Sequence, residues 1–196
     1  RRLAADLAFV FRERTQVNLY ASYAYGRGLR PHWDDHEMFV FQVAGKKYWR
    51  VYSPTEHAPL FHDPAESEQQ QLGGPSWEGE VTAGGLLYLP RGYWHVAEGL
   101  ASESIHLTAG IDCVTGLDLM DWLSRRLRES PAFRENLPRL GTAARQRDHA
   151  KKLAVEIKSL LDESLVGRFL TADDRDAPAL AGFDGLTGAS GATVLR

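Results

Sequence analysis

Residues 37–52 constrain the fold more than any other stretch. EMFVFQV (37–43) and KYWRVY (47–52) are dense in aromatic and β-branched side chains, and Ala44-Gly45-Lys46 between them reads as a turn, so together they predict a hairpin. By the period of two, Lys47, Trp49 and Val51 share one face of the second strand. If that face is buried, its lysine needs an anionic partner. Further strand-like runs lie at 16–25, 86–89 and 103–109, the second of them closed by Pro90-Arg91-Gly92. Residues 3–14 predict a short helix with Leu3, Leu7, Val10 and Phe11 on its apolar side. Residues 53–79, rich in proline and glycine, predict a long, partly irregular connection.

The character changes near residue 114. Leu117, Met120, Leu123 and Leu127 mark one face of a helix over 117–129, with Thr115 as its N-cap. Residues 143–170 predict a longer amphipathic helix with Leu153, Ile157, Leu160, Leu161 and Leu165 on one face, ended or kinked at Gly167. The stretch 171–196, rich in Asp, Ala and Gly, predicts an irregular tail. The expected organisation is therefore a mostly β catalytic domain over 1–113, a helical module over 114–170, and the tail.

Composition excludes several classes of function. A net charge of −3 and a pI of about 6.2 leave no basic footprint for strong nucleic-acid binding. No apolar run approaches a membrane span. One cysteine, Cys113, rules out an internal disulfide, fits a reducing cytoplasm, and is expected to be buried and inert. The chain begins Arg1-Arg2 without Met, and the barrel is expected to lack its N-terminal part.

His32 and Asp34 stand in His-x-Asp spacing, directly before the strongest strand. On a strand, residues two apart point to the same side, so both side chains could reach one ion. With 13 Asp and seven His in 196 residues, such a pair arises by chance in roughly every second chain, so the pair alone means little. Context raises its weight. Gly26 stands six residues before His32, and Gly84, Pro90 and His95 follow as G-x5-P-x4-H after a strand. Two histidines and one carboxylate are the ligand set of non-haem Fe(II) oxygenases, which leave three positions open.

These two clusters match the halves of the cupin barrel signature. The run PHWDDHEMFVFQVAGKKYWRVY (31–52) with GGLLYLPRGYWH (84–95) resembles the Jumonji-C oxygenases, above all the cupin-type ribosomal-protein hydroxylases and their bacterial relatives. The resemblance covers about residues 16–110. It implies a double-stranded β-helix followed by a helical appendage, with Fe(II) and 2-oxoglutarate as cofactor and co-substrate. Carried over by motif, His32, Asp34 and His95 are the metal ligands. Lys47, fifteen positions after the first ligand, binds the distal carboxylate of 2-oxoglutarate. Asn18 and Tyr20 lie near the co-substrate. The helical part implies a homodimer.

The implied activity is hydroxylation of a side chain in a protein or peptide substrate, with a ribosomal protein as the leading candidate. A tailoring hydroxylase of a peptide or small metabolite is one alternative, and a non-catalytic cupin-like binding module is another. His36 is expected to support the site without ligating, and His106 to be a packed barrel residue. Trp33, Trp49 and Trp94 are expected to be core or pocket walls, with a lining role for Trp94 or Tyr93 at the substrate mouth as the alternative.

Overall fold

A computed structural model describes residues 2–23, 26–60, 72–100 and 103–176. The chain divides into two compact units, the first reaching Cys113 and the second beginning at Val114.

The first unit opens with helix α1 (Arg2–Phe11) and continues through eight strands. They are β1 (Arg14–Ser22), β2 (Gly26–Arg27), β3 (Glu37–Ala44), β4 (Lys46–Tyr52), β5 (Trp77–Thr82), β6 (Leu86–Leu89), β7 (Trp94–Gly99) and β8 (Ser104–Asp112). They form two four-stranded sheets, ordered β1-β8-β3-β6 and β2-β7-β4-β5, with every pairing antiparallel. Apart from β4 and β5, consecutive strands alternate between the sheets. This is the double-stranded β-helix expected from the sequence, with its two sheets kept separate rather than closed into one barrel. The core comes from both inner faces, with Met38, Val40, Leu87 and Leu89 from one sheet and Trp49, Val51 and Val81 from the other. Burying such side chains contributes on the order of 2 kcal/mol each.

The predicted hairpin is corrected. Both strands exist, but β3 pairs with β6 and β8 while β4 pairs with β5 and β7. The register of β3 against β8 slips between Gln42 and Ala44. Such a bulge bends a strand and increases its twist, here at the point where the chain leaves the first sheet for the second. Gly45 makes the step with φ of +65°, and a Cβ there would stand 2.1 Å from the Glu103 carbonyl oxygen. Three strands, β2, β5 and β7, were not predicted from the sequence. Part of the 53–79 connection, residues 61–71, lies outside the described residues, as do Tyr25 of the predicted first strand and the tail from 177 on.

The second unit contains α2 (Gly116–Leu127), α3 (Pro131–Arg134), α4 (Ala143–Leu160) and α5 (Leu165–Asp176). Thr115 caps α2 as predicted: the Leu117 N–H donates to its Oγ1 at 3.2 Å, and its own N–H donates to Asp118 Oδ2 at 2.6 Å. Thr142 caps α4 through the Arg145 N–H. The single helix predicted over 143–170 is instead two. Leu161 leaves helical geometry, and Asp162 then accepts from the Ser164 N–H at 2.8 Å and its hydroxyl at 2.6 Å, a local alternative to continuing the helix. Gly167 sits inside α5, which runs six residues into the region predicted as an irregular tail. Leu123 and Phe169 form the buried centre, with Trp122 edge-on to Phe169 at 5.9 Å.

Candidate metal centre

His32, Asp34 and His95 come together: one ligand atom from each lies within 4.8 Å of the others. The segment carrying His32 and Asp34 is not the strand that the two-residue spacing suggested. His32 instead makes an isolated antiparallel bridge to His95 in β7. The two residues exchange both backbone hydrogen bonds, at 3.2 and 2.8 Å, which puts their side chains on the same side. Their rings lie 4.4 Å apart. Asp34 is fixed by its main chain, whose carbonyl accepts from the Gly92 N–H at 3.0 Å. Gly92 has φ of +84°, and a Cβ there would meet Pro59 at 2.6 Å. The Pro-x-Gly turn before His95 therefore positions two ligands, one along the chain and one across it.

The tautomers follow from the hydrogen bonds. His32 Nδ1 lies 2.8 Å from the Arg30 carbonyl oxygen, and His95 Nδ1 lies 3.1 Å from that of Tyr93. A carbonyl only accepts, so each Nδ1 carries the proton and each Nε2 keeps its lone pair. His95 Nε2 faces Asp34 Oδ2 at 3.6 Å. Burial, and next the neighbouring His32, push the His95 pKa down to about 4, so the ring is neutral at neutral pH. Two imidazole lone pairs and one carboxylate form a donor set suited to a divalent transition metal.

The triad opens onto a cavity of about 590 Å³ whose walls include Asn18, Tyr20, His36, Met38, Lys47, Trp49, His106 and Thr108. Lys47 is 7% exposed and Trp49 4%, as the alternation along β4 predicted. Burial alone lowers the Lys47 pKa, and among the described residues no carboxylate pairs with it. Asn18 and Tyr20 also line the cavity but lie on its solvent side. His36 is a wall residue: its Nδ1 meets Asp35 Oδ1 at 3.1 Å, and its ring fills the space a side chain at Gly110 would need. Trp94 is fully buried, a core residue as expected, with its indole N–H donating to Thr55 Oγ1 at 2.9 Å; the alternative place at the mouth is not the one it takes. Cys113, expected to be buried, is exposed. His106 is buried, as expected of a packed barrel residue, in the alternation of Ser104, His106 and Thr108 along β8.

The model of the JmjC domain matches residues 2–119. The chain belongs to the JmjC domain family. Ribosomal oxygenase 2 of Mus musculus is 35% identical over 179 residues, covering 85% of this chain and 37% of the relative. The Dictyostelium discoideum bifunctional lysine-specific demethylase and histidyl-hydroxylase NO66 is 30% identical over 173 residues, covering 84% and 34%. The JmjC chain thus spans little more than a third of the length of these curated relatives. Among solved structures, the Escherichia coli ribosomal oxygenase YcfD in complex with cobalt and 2-oxoglutarate superposes with a TM-score of 0.53 at 18% identity, over 89% of this chain and 48% of that one. That likeness shows the shared fold.

Proposed function

We propose that this JmjC chain is the catalytic part of an Fe(II)- and 2-oxoglutarate-dependent oxygenase that hydroxylates a side chain of a protein, with a ribosomal protein as the leading candidate. One observation carries the reading. Both histidines spend their N–H on a backbone carbonyl two residues earlier, so both present a lone pair toward the same carboxylate. Three protein ligands on one face leave room for a chelating co-substrate and O2. Iron and 2-oxoglutarate bound there supply oxidative decarboxylation coupled to insertion of one oxygen atom into a C–H bond.

The residues of the chain do the rest. His32 and His95 through Nε2, and Asp34 through its carboxylate, hold the metal. Lys47, a buried cation with no acidic partner among the described residues, takes the distal carboxylate of 2-oxoglutarate. Met38, Trp49 and Ala97 wall the cavity and keep water from the reacting atoms. Asn18 and Tyr20 stand where co-substrate or substrate enters.

A ribosomal protein as substrate is supported by the names of the relatives, ribosomal oxygenases and a histidyl-hydroxylase. The test is incubation with Fe(II), 2-oxoglutarate and total ribosomal protein, followed by intact-mass analysis. A one-oxygen gain on one protein, absent with His95→Ala, is expected. Loss of methyl groups would point to demethylation instead. Consumption of 2-oxoglutarate with no protein modified would favour a small-metabolite substrate.

Two further readings belong to the same proposal. The chain acts in the cytoplasm, in keeping with its single cysteine, and no helix among the described residues is long and apolar enough to cross a membrane. It pairs as a homodimer through the helical unit, whose Leu117, Met120, Val155 and Val166 are each more than half exposed. Sedimentation equilibrium that returns a dimer mass, and a monomer mass for Met120→Asp, tests the second reading.

A further inference from the structure

His106 projects from β8 into the cavity and is 3% exposed. Its ring is clamped on two sides. Tyr20, its partner across β1, stacks on it at 4.9 Å with planes 6° apart, and Trp49 meets it edge-on at 5.7 Å. Trp49 also touches His95, at 6.1 Å, so one indole contacts both the metal triad and His106. The Lys47 ammonium is close enough to His106 to act on its charge. His106 Nδ1 is sealed from water with no hydrogen-bond partner, whereas Nε2 is not among the buried unpaired atoms. The less costly tautomer leaves the lone pair on the sealed Nδ1 and puts the proton on Nε2, the nitrogen left to face the cavity that His106 lines. A core position that only needed a flat ring would take phenylalanine without the cost of the unpaired Nδ1.

We infer that His106 is a second anchor for the distal carboxylate of the co-substrate, donating its Nε2–H to the anion that Lys47 neutralises. The inference rests on the 2-oxoglutarate reading above and adds a residue to it. Lys47 supplies charge but little direction, since an ammonium on a four-carbon stem can meet an anion from many angles. His106, locked between Tyr20 and Trp49, supplies direction. Burial, and next the Lys47 charge, keep the imidazole neutral, with a pKa pushed down to about 4, so it brings a donor and no second positive charge. The bound carboxylate would in turn fix the proton on Nε2.

The test compares two ligands on the Zn(II)-loaded protein by calorimetry: 2-oxoglutarate, and 2-oxopentanoate, which keeps the chelating end and lacks the distal carboxylate. His106→Phe keeps the stacked ring and removes the donor. It should weaken 2-oxoglutarate roughly 10- to 100-fold, as expected for a hydrogen bond to a charged group, and leave 2-oxopentanoate within about twofold. His106→Gln, whose amide N–H takes the place of Nε2–H, should restore most of the affinity. Equal weakening of both ligands, or no weakening of 2-oxoglutarate, would overturn the role of His106. A wild-type protein that binds both ligands equally would overturn the carboxylate pocket itself, Lys47 included. Wild-type protein carrying 15N-histidine gives a check that no substitution can confound. A His106 Nε2–H signal that sharpens and shifts with 2-oxoglutarate, and not with 2-oxopentanoate, is expected. An unchanged signal would refute the contact.

Discussion

Lys47→Met separates binding from folding more sharply than any other single change. The ammonium is 7% exposed, its pKa is lowered by burial alone, and among the described residues it has no acidic partner. In the ligand-free protein that charge is a net cost, because desolvation is not offset by a counter-ion. Methionine matches the stem in length and brings no charge. Removing the cost should stabilise the ligand-free fold by about 1 kcal/mol, a rise in Tm of roughly 2–4 °C for a chain of this size. The same change removes one half of a buried ion pair in the complex. Breaking such a pair costs about 3–5 kcal/mol, so the Kd for 2-oxoglutarate should rise by at least roughly a hundredfold. The assays are thermal unfolding of the metal-free protein and calorimetry with 2-oxoglutarate on the Zn(II)-loaded protein. The reasoning fails if Lys47→Met melts lower than wild type while binding 2-oxoglutarate unchanged. That result would make Lys47 a structural residue whose partner lies within the fold.

Two other perturbations follow from the same geometry. Gly92→Ala must hold a left-handed φ of +84° and place a Cβ 2.6 Å from Pro59, so it should cost about 2 kcal/mol or more. Because the Gly92 N–H holds the Asp34 carbonyl, metal affinity measured by Zn(II) titration should fall as well, whereas a variant that loses stability alone would show that Asp34 is held by other contacts. Acid should destabilise the metal-free protein in a defined window. The His106 pKa is 6.5 unfolded and about 4 folded, so the unfolded chain binds the proton first. Its contribution is fully present above pH 6.5 and is lost as pH falls toward 4, by at most about 3 kcal/mol. Chemical denaturation across that range should show the loss, and His106→Phe should remove the His106 share while leaving that of His95, whose pKa is also pushed down to about 4.

Much of this site is legible in the sequence, and the remainder fails for physical reasons. Alternation along β4 fixes the inward face of Lys47, Trp49 and Val51, because side-chain period depends only on a strand being extended. Strand partners are another matter. The Gly45 turn looks the same whether the next strand pairs with β3 or crosses to the other sheet, so the sequence pattern suggests a hairpin where none forms. β5 (WEGEVT) is short and carries two glutamates and a glycine, and β7 follows a Pro-x-Gly turn with little alternation, so neither stands out. The triad is found by spacing, yet for a reason other than the one assumed. His32 and Asp34 do not share a strand face, and it is the bridge from His32 to His95 that aligns the two histidines. A bridge between residues 63 apart has no local signature. The break between α4 and α5 does have one, Asp162-x-Ser164, but a continuous apolar stripe on either side hides it.

The central claim is most directly tested by anaerobic titration of the protein with Fe(II) and then 2-oxoglutarate, following the visible charge-transfer absorption of the chelate. One iron per chain, an absorption band that saturates with 2-oxoglutarate, and loss of that band in His95→Ala are the predicted results. Iron bound at the same stoichiometry with no band at any 2-oxoglutarate concentration would contradict the oxygenase reading and leave His32, Asp34 and His95 as a metal site serving some other chemistry.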